Sequence, residues 1–157
     1  MPSILPALLF LSIALVSPAQ AEMAPRDGWW VGKTAKSHDQ LIEDVRSAVT
    51  AHGFGVVTQA GPTGAARARG ITIPGNRVIG VFNNDYAVRV LALSTAAMIE
   101  APIGMYVTEN TDGTATLSYK LPSTVLAPYM AEAGPDLATI AADLDVEFAA
   151  IAEAAVR

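Results

Sequence analysis

The chain has no cysteine. That absence removes disulfides, thiolate nucleophiles, cysteine-based metal sites and the lipid-carrying cysteine of a lipoprotein together. Histidine is nearly as scarce, with only His38 and His52. Both fall near the ends of one expected helix, so at 1.5 Å per residue they stand roughly 20 Å apart and cannot share a metal ion. No metal site and no cofactor are expected. Positive charge is short as well: ten Lys and Arg face fifteen Asp and Glu, a net charge of −5. Such an acidic chain is a poor fit to nucleic acid, which calls for a basic face. Neither a Walker loop nor G-x-G-x-x-G is present, and the G-x-S-x-G elbow is missing. No apolar run reaches the roughly 20 residues that a bilayer span requires.

What is present begins with an uncharged leader, M-P-S-I-L-P-A-L-L-F-L-S-I-A-L-V-S-P-A-Q-A. Its apolar part runs from Ile4 to Val16 and is followed by the small-x-small site Ala19-Gln20-Ala21 and then by the acidic, Pro-containing run Glu22 to Asp27. This reads as a secretory signal peptide cleaved after Ala21, which places the protein in the periplasm or outside the cell. No Lys or Arg precedes the apolar run, so the amino terminus alone supplies positive charge. The competing reading, an uncleaved anchor, is opposed by the shortness of the run. No stable membrane insertion is expected after cleavage. Removing residues 1–21 of 157 leaves 136. That is one domain's worth of chain, enough to bury about 65–70% of its unfolded surface. No internal repeat and no long linker divides residues 22–157.

The chain is organised around the stretch from Arg69 to Tyr119, which holds three strand candidates. Ahead of it, residues 29–35 read as a first strand, rich in β-preferring side chains. Adjacent Trp29 and Trp30 point to opposite faces of such a strand. One can be core; the other is half-covered, covered by a partner, or offered as a stacking platform for a sugar. Ser37 opens a helix through a capping box with Gln40. Leu41, Ile42, Val45, Ala48 and Val49 form its apolar face, and His52-Gly53-Phe54 ends it in a Schellman motif. His52 lies where it complements the helix dipole. Gly55 to Thr58 is a short strand, and the Gly- and Ala-rich stretch that follows is a loop or loose helical turn carrying Arg67 and Arg69. These arginines are either solvated or in contact with an anion.

Asn76 to Phe82 is apolar on both faces and reads as a central strand, with Gly80 marking a bulge or a close approach. Asn83-Asn84-Asp85 turns the chain and caps a helix from Tyr86 to about Met98. Val88, Leu91 and Thr95 give that helix one apolar side, and Val90, Leu93 and Ala97 a second, so it is expected to be buried against both sheet and partner. Met105 to Glu109 and Thr114 to Lys120 make a β-hairpin over a Gly-containing turn. Its second strand alternates, with Ala115, Leu117 and Tyr119 inward and Thr116 and Ser118 toward water. Ser123 to Ala133 is helical but interrupted at Pro128. The last helix starts at Gly134-Pro135-Asp136 and carries the stripe Leu137, Ile140, Leu144, Phe148 and Ile151.

The succession G-x-x-I-x-P, V-I-x-V-F-N-N, helix, acid-x-Pro-aliphatic turn and G-T-A-T-L-S-Y-x-x-P resembles the family called domain of unknown function 302. The resemblance covers roughly residues 34–130. It implies a small α+β fold, an antiparallel sheet of about four to five strands with helices packed on it, and a homodimer. No established activity travels with it. The chain departs from the family pattern in three places. Asn83-Asn84-Asp85 stands for Gly-Asn-Pro. Glu100-Ala101-Pro102-Ile103-Gly104 stands for D-L-P-L-K, so the acid is kept and the lysine lost. A histidine often seen before the G-L-x-L phrase is missing near Pro62.

The candidate ligand-binding residues are Asn83, Asn84, Arg89 and Glu100. The asparagines sit at a strand end where helix-start amides converge, Arg89 lies one turn into the helix, and Glu100 opens the next turn. The competing account is that the asparagines cap, Arg89 is solvated and Glu100 caps its turn. No candidate catalytic residue is assigned. The sequence therefore reads as an exported, non-catalytic, homodimeric module for a small ligand or another envelope protein. The alternative is a hydrolase or isomerase using Glu100 with Tyr119 or Tyr106.

Overall fold

The computed structural model describes residues 23–157; the leader and its cleavage site lie outside the described residues. Five strands form one sheet: β1 (Trp29–Thr34), β2 (Gly55–Ala60), β3 (Asn76–Phe82), β4 (Ile103–Glu109) and β5 (Ala115–Lys120). Their spatial order is β1-β5-β4-β3-β2, and every neighbouring pair is antiparallel. The helices are α1 (His38–Ala51), α2 (Thr63–Ala68), α3 (Asn84–Leu93), α4 (Pro122–Leu126), α5 (Met130–Ala133) and α6 (Pro135–Val156). Short 3-10 turns occupy Ala96–Glu100 and Ala127–Tyr129. This is the α+β architecture expected from the sequence.

Strand register decides which side chains form the core. Trp30, Tyr119, Met105 and Ile79 make one row across the sheet, and Gly32, Leu117, Val107 and Arg77 make the next. Both rows lie on the face that α1 and α6 cover. Leu41, Val45 and Val49 of α1 are fully buried, as are Leu137 and Ile151 of α6. Tyr119 stacks on Trp30 at 5.6 Å and meets Phe148 at the same centroid distance. Trp30 is thus the inward tryptophan. Trp29 stays half-buried on the other face, between Arg26 and Lys120.

Local signals explain the helix ends. The Ser37 hydroxyl accepts the Gln40 N–H at 3.3 Å, but the Gln40 side chain donates forward to Asp44 instead of back to the cap. Only half of the expected capping box forms, because Asp44 one turn on offers a charged acceptor. At the other end Gly53 takes φ +76°, and the Phe54 N–H reaches the Val49 carbonyl at 3.0 Å, completing the Schellman motif. Lys36 ties the two covering helices together. Its ammonium donates to Asp44 at 2.6 Å and to the Ala155 carbonyl in the last turn of α6 at 2.7 Å. The Lys36 hydrogen bond holds the Asp44 carboxyl below its ordinary pKa.

Two expectations change. The helix after Asn83 ends at Leu93 and not near Met98. Ser94 leaves the helical conformation and its hydroxyl accepts the Ala97 N–H at 3.0 Å, starting the 3-10 turn. Within the single chain only Val90 of α3 is buried, while Val88 and Leu91 are 68% and 50% exposed. The second strand of the hairpin is also buried on both faces: Thr116 and Ser118 are 0% exposed although neither α1 nor α6 covers them. By register Ser118 lies between Val31 and Tyr106, and Thr116 between Lys33 and Thr108, where its hydroxyl donates to Asn110 Oδ1 at 3.0 Å.

Gly80 is a point of close approach. A Cβ there would collide with the Thr58 hydroxyl and come within 2.9 Å of Pro102 Cγ. The bulge itself sits in β2, whose register shifts between Val56 and Thr58. Gly80→Ala is expected to cost about 1–3 kcal/mol of stability, as overpacking does. The measurement is a lower urea midpoint at unchanged m value; an unchanged midpoint would show that Thr58 and Pro102 move aside freely.

Candidate functional site

The four candidate residues do not share one site. Asn83 and Glu100 line the same apolar cavity under α3, together with Phe54, Tyr86 and Phe148. At about 50 Å³ that cavity has room for a water molecule or two and not for a metabolite. Asn84 lies outside it, in a shallow surface depression with Gly53, Val57 and Asp85. Arg89 faces away, over the Tyr86 ring at 5.2 Å and 3.7 Å from the Asp143 carboxylate. Burial, with Glu147 and Asp143 nearby, pushes the Tyr86 hydroxyl above its ordinary pKa.

Asn83 spends its whole amide on structure. Its Oδ1 accepts the Asp85 and Tyr86 N–H groups at 2.9 and 3.2 Å, and its Nδ2 donates to the Gly53 carbonyl at 3.0 Å. One side chain thereby starts α3 and pins it to the end of α1. Glu100 accepts the Tyr129 hydroxyl at 2.7 Å, and that bond raises the tyrosine's pKa. The partner of Glu100 is a tyrosine that sequence reading did not single out, because 29 residues separate the two.

Glu100 also borders a second hollow, of about 380 Å³, on the open face of the sheet. Trp29, Val78, Tyr106, Ser118 and Lys120 line it. Tyr106 and Tyr119 are both at its wall, so Glu100 and the two tyrosines named from the sequence do border one space. Tyr119 contributes from the buried side: its hydroxyl has no hydrogen-bond partner, and burial drives its pKa far above the ordinary tyrosine value. Gly104, standing where the family pattern has lysine, pairs with Gly80 in the floor. The Ser118 and Thr108 hydroxyls of this face are buried without a partner.

A third hollow, also about 380 Å³, lies at the opposite end of the strands from Asn83 and is lined by polar side chains, among them His38, Arg67, Arg77 and Glu109. Sequence reading weighed His38 with His52 for a metal, Arg67 with Arg69 for an anion and Glu109 with Glu100 as a carboxylate pair, and passed over Arg77, whose one signal was a charged residue at the end of an otherwise apolar strand. Among the described residues no set of three or more His, Asp or Glu is arranged to hold a metal ion, and no helix is long and apolar enough to cross a membrane.

Replacing Asn83 by Ala removes a cap and an inter-helix tie. It should lower stability by about 1–2 kcal/mol, read by chemical denaturation, whereas a ligand-only role for Asn83 would leave the midpoint where it is.

The fold has a solved counterpart. The chain is similar to a crystal structure described as an uncharacterized conserved protein DUF302 from Bacillus stearothermophilus, at 22% identity and a TM-score of 0.73, covering 84% of this chain and all of that one. No curated protein matches the chain. The family described as "Domain of unknown function DUF302" matches residues 31–155, further toward the C-terminus than the sequence phrases reach, because α6 is part of the same unit. The chain therefore belongs to the family of the domain of unknown function DUF302.

Proposed function

We propose that the protein is an exported, non-catalytic binding module that works as a homodimer, with the open face of the sheet as its contact surface. The observation that supports this reading is the character of that face. Neither α1 nor α6 packs on it and only Val125 of α4 reaches its hollow, yet it carries Trp29, Val31, Val78 and Tyr106 and buries the Ser118 and Thr108 hydroxyls without partners. Val78 alone is 44% exposed. Apolar surface left in water forgoes roughly 25 cal/mol per Å², and a second layer against this face would recover it. A second copy suits the charges, because Lys120 and Glu100 border the same hollow. In a two-fold contact a residue away from the axis meets a different residue of the other copy, so lysine can face glutamate. Two such hollows brought together would enclose a small molecule; another envelope protein is the other occupant of the same surface.

A second reading is a hydrolase or isomerase that uses Glu100 with a tyrosine. The shared hollow of Glu100, Tyr106 and Tyr119 favours it. Against it stands the engagement of Glu100 Oε1 by the Tyr129 hydroxyl.

Native mass spectrometry of protein prepared gently from the periplasm is expected to give a dimer of chains cleaved after Ala21. Val78→Glu on the open sheet face should yield monomers, and Val88→Glu on the outer side of α3 should not. A wild-type monomer, or dissociation by the Val88 variant alone, sinks the proposed contact. For the second reading, Glu100→Gln is expected to leave any turnover found in the purified protein unchanged; its loss with an intact fold would establish catalysis instead.

A further inference from the structure

The polar hollow at the other end of the sheet has the composition of a binding site. It gathers residues that are far apart in sequence: Ser37 and His38 from the start of α1, Thr63 and Arg67 from α2, Arg77 from the start of β3 and Glu109 from the end of β4. Two nitrogens in this cluster, His38 Nε2 and Arg77 Nε, are buried with no hydrogen-bond partner. Buried polar groups are ordinarily satisfied, and an unmet group on a permanently charged guanidinium is the costly case. Among the described residues neither Arg67 nor Arg77 has a carboxylate within ion-pairing distance.

The hollow also holds two carboxylates, each tied to another residue of the hollow. Glu109 accepts the Gly75 N–H at 2.6 Å. Asp39 contacts His38 Nδ1 at 3.2 Å, but its side chain is 99% exposed and turned to solvent. The His38 ring itself is held in place, since a Cβ on Gly75 would stand 2.8 Å from two of its atoms. Facing the hollow as donors are two guanidinium groups and the hydroxyls of Ser37 and Thr63, with His38 Nε2 and the second oxygen of Glu109 beside them. Guanidinium groups are donors only and match the paired oxygens of carboxylate and phosphate. A volume of about 380 Å³ is within the range of small-molecule sites.

We infer that this hollow binds a small oxyanion, a molecule carrying a phosphate or carboxylate group, with Arg77 and Arg67 as its charge partners and His38 Nε2 as a third contact. The ligand's oxygens would satisfy Arg77 Nε; with Nδ1 donating to Asp39, His38 Nε2 would accept from a ligand O–H such as that of hydrogen phosphate, or donate when the ring carries both protons. The site shares no residue with the hollow on the open sheet face, so it does not depend on the dimer and the failure of either leaves the other standing.

The test is calorimetric titration of the purified full chain at constant ionic strength, with inorganic phosphate in one arm and succinate in the other. One saturable site with a Kd of about 1 mM or tighter is expected in at least one arm, and the preferred arm names the head group. Arg67→Gln, at an exposed position that leaves the fold alone, and Arg77→Met should each weaken binding about tenfold or more. Without ligand, Arg77→Met should melt no lower than the parent, because it removes a half-buried guanidinium whose buried Nε lacks a partner. If neither anion binds by about 10 mM, a concentration well beyond ordinary site affinities, the inference is overturned. Equal affinities in the parent and the Arg67 variant overturn it too, and that comparison holds even if the Arg77 variant fails to fold.

Discussion

The layer of side chains between the helix pair α1–α6 and one face of the sheet is the contact on which the rest of the structure depends. Leu41, Val45 and Val49 come down from one helix and Phe148 and Ile151 from the other, onto Met105, Leu117 and Tyr119. Each such side chain contributes roughly 1.5–3 kcal/mol gross on leaving water, set against the entropy of ordering the chain. Without cysteine there is no covalent link to share the task. The polar ties are few and placed at the margins of this layer: Lys36 bridges α1 to the end of α6, and the Ser123 N–H donates to Asp145 of α6 at 2.9 Å.

Covering one face with both long helices has a consequence for the other. The opposite side of the sheet is left largely to its own side chains. Thr116 finds a partner there in Asn110 Oδ1, whereas Ser118 and Thr108 are buried without one. The same arrangement fixes the two ends of the strands. At one end the turn after β3 and the end of α1 are stitched by Asn83, and the space between them is nearly filled. At the other end the helix start, β3 and β4 diverge, and polar side chains line the gap. Room for a ligand lies where the core layer stops, not where the asparagines stand.

Similarity to a solved structure at 22% identity, over all of that chain, says that the pattern of burial and not particular side chains specifies this architecture. The motif phrases reached only to about residue 130 because α6 has no phrase of its own. It has a stripe, which many sequences satisfy. Its five leading members, Leu137, Ile140, Leu144, Phe148 and Ile151, are nonetheless all buried.

The sequence by itself determined the elements. Period 2 in β5, period 3.6 in α1 and α6, the Ser37 cap, the Gly53 stop and the Gly-containing hairpin turn are local signals. Local physics is sufficient to produce them. It also determined that Asn83 begins a helix. Only the tertiary structure decided what those elements meet. The exposure of Val88 and Leu91, the burial of Thr116 and Ser118 and the pairing of Glu100 with Tyr129 all rest on residues far apart in the chain. So does the gathering of His38, Arg67, Arg77 and Glu109 around one hollow. Spacing along a sequence carries no record of such distances, because they are set by strand register and by which face the helices cover.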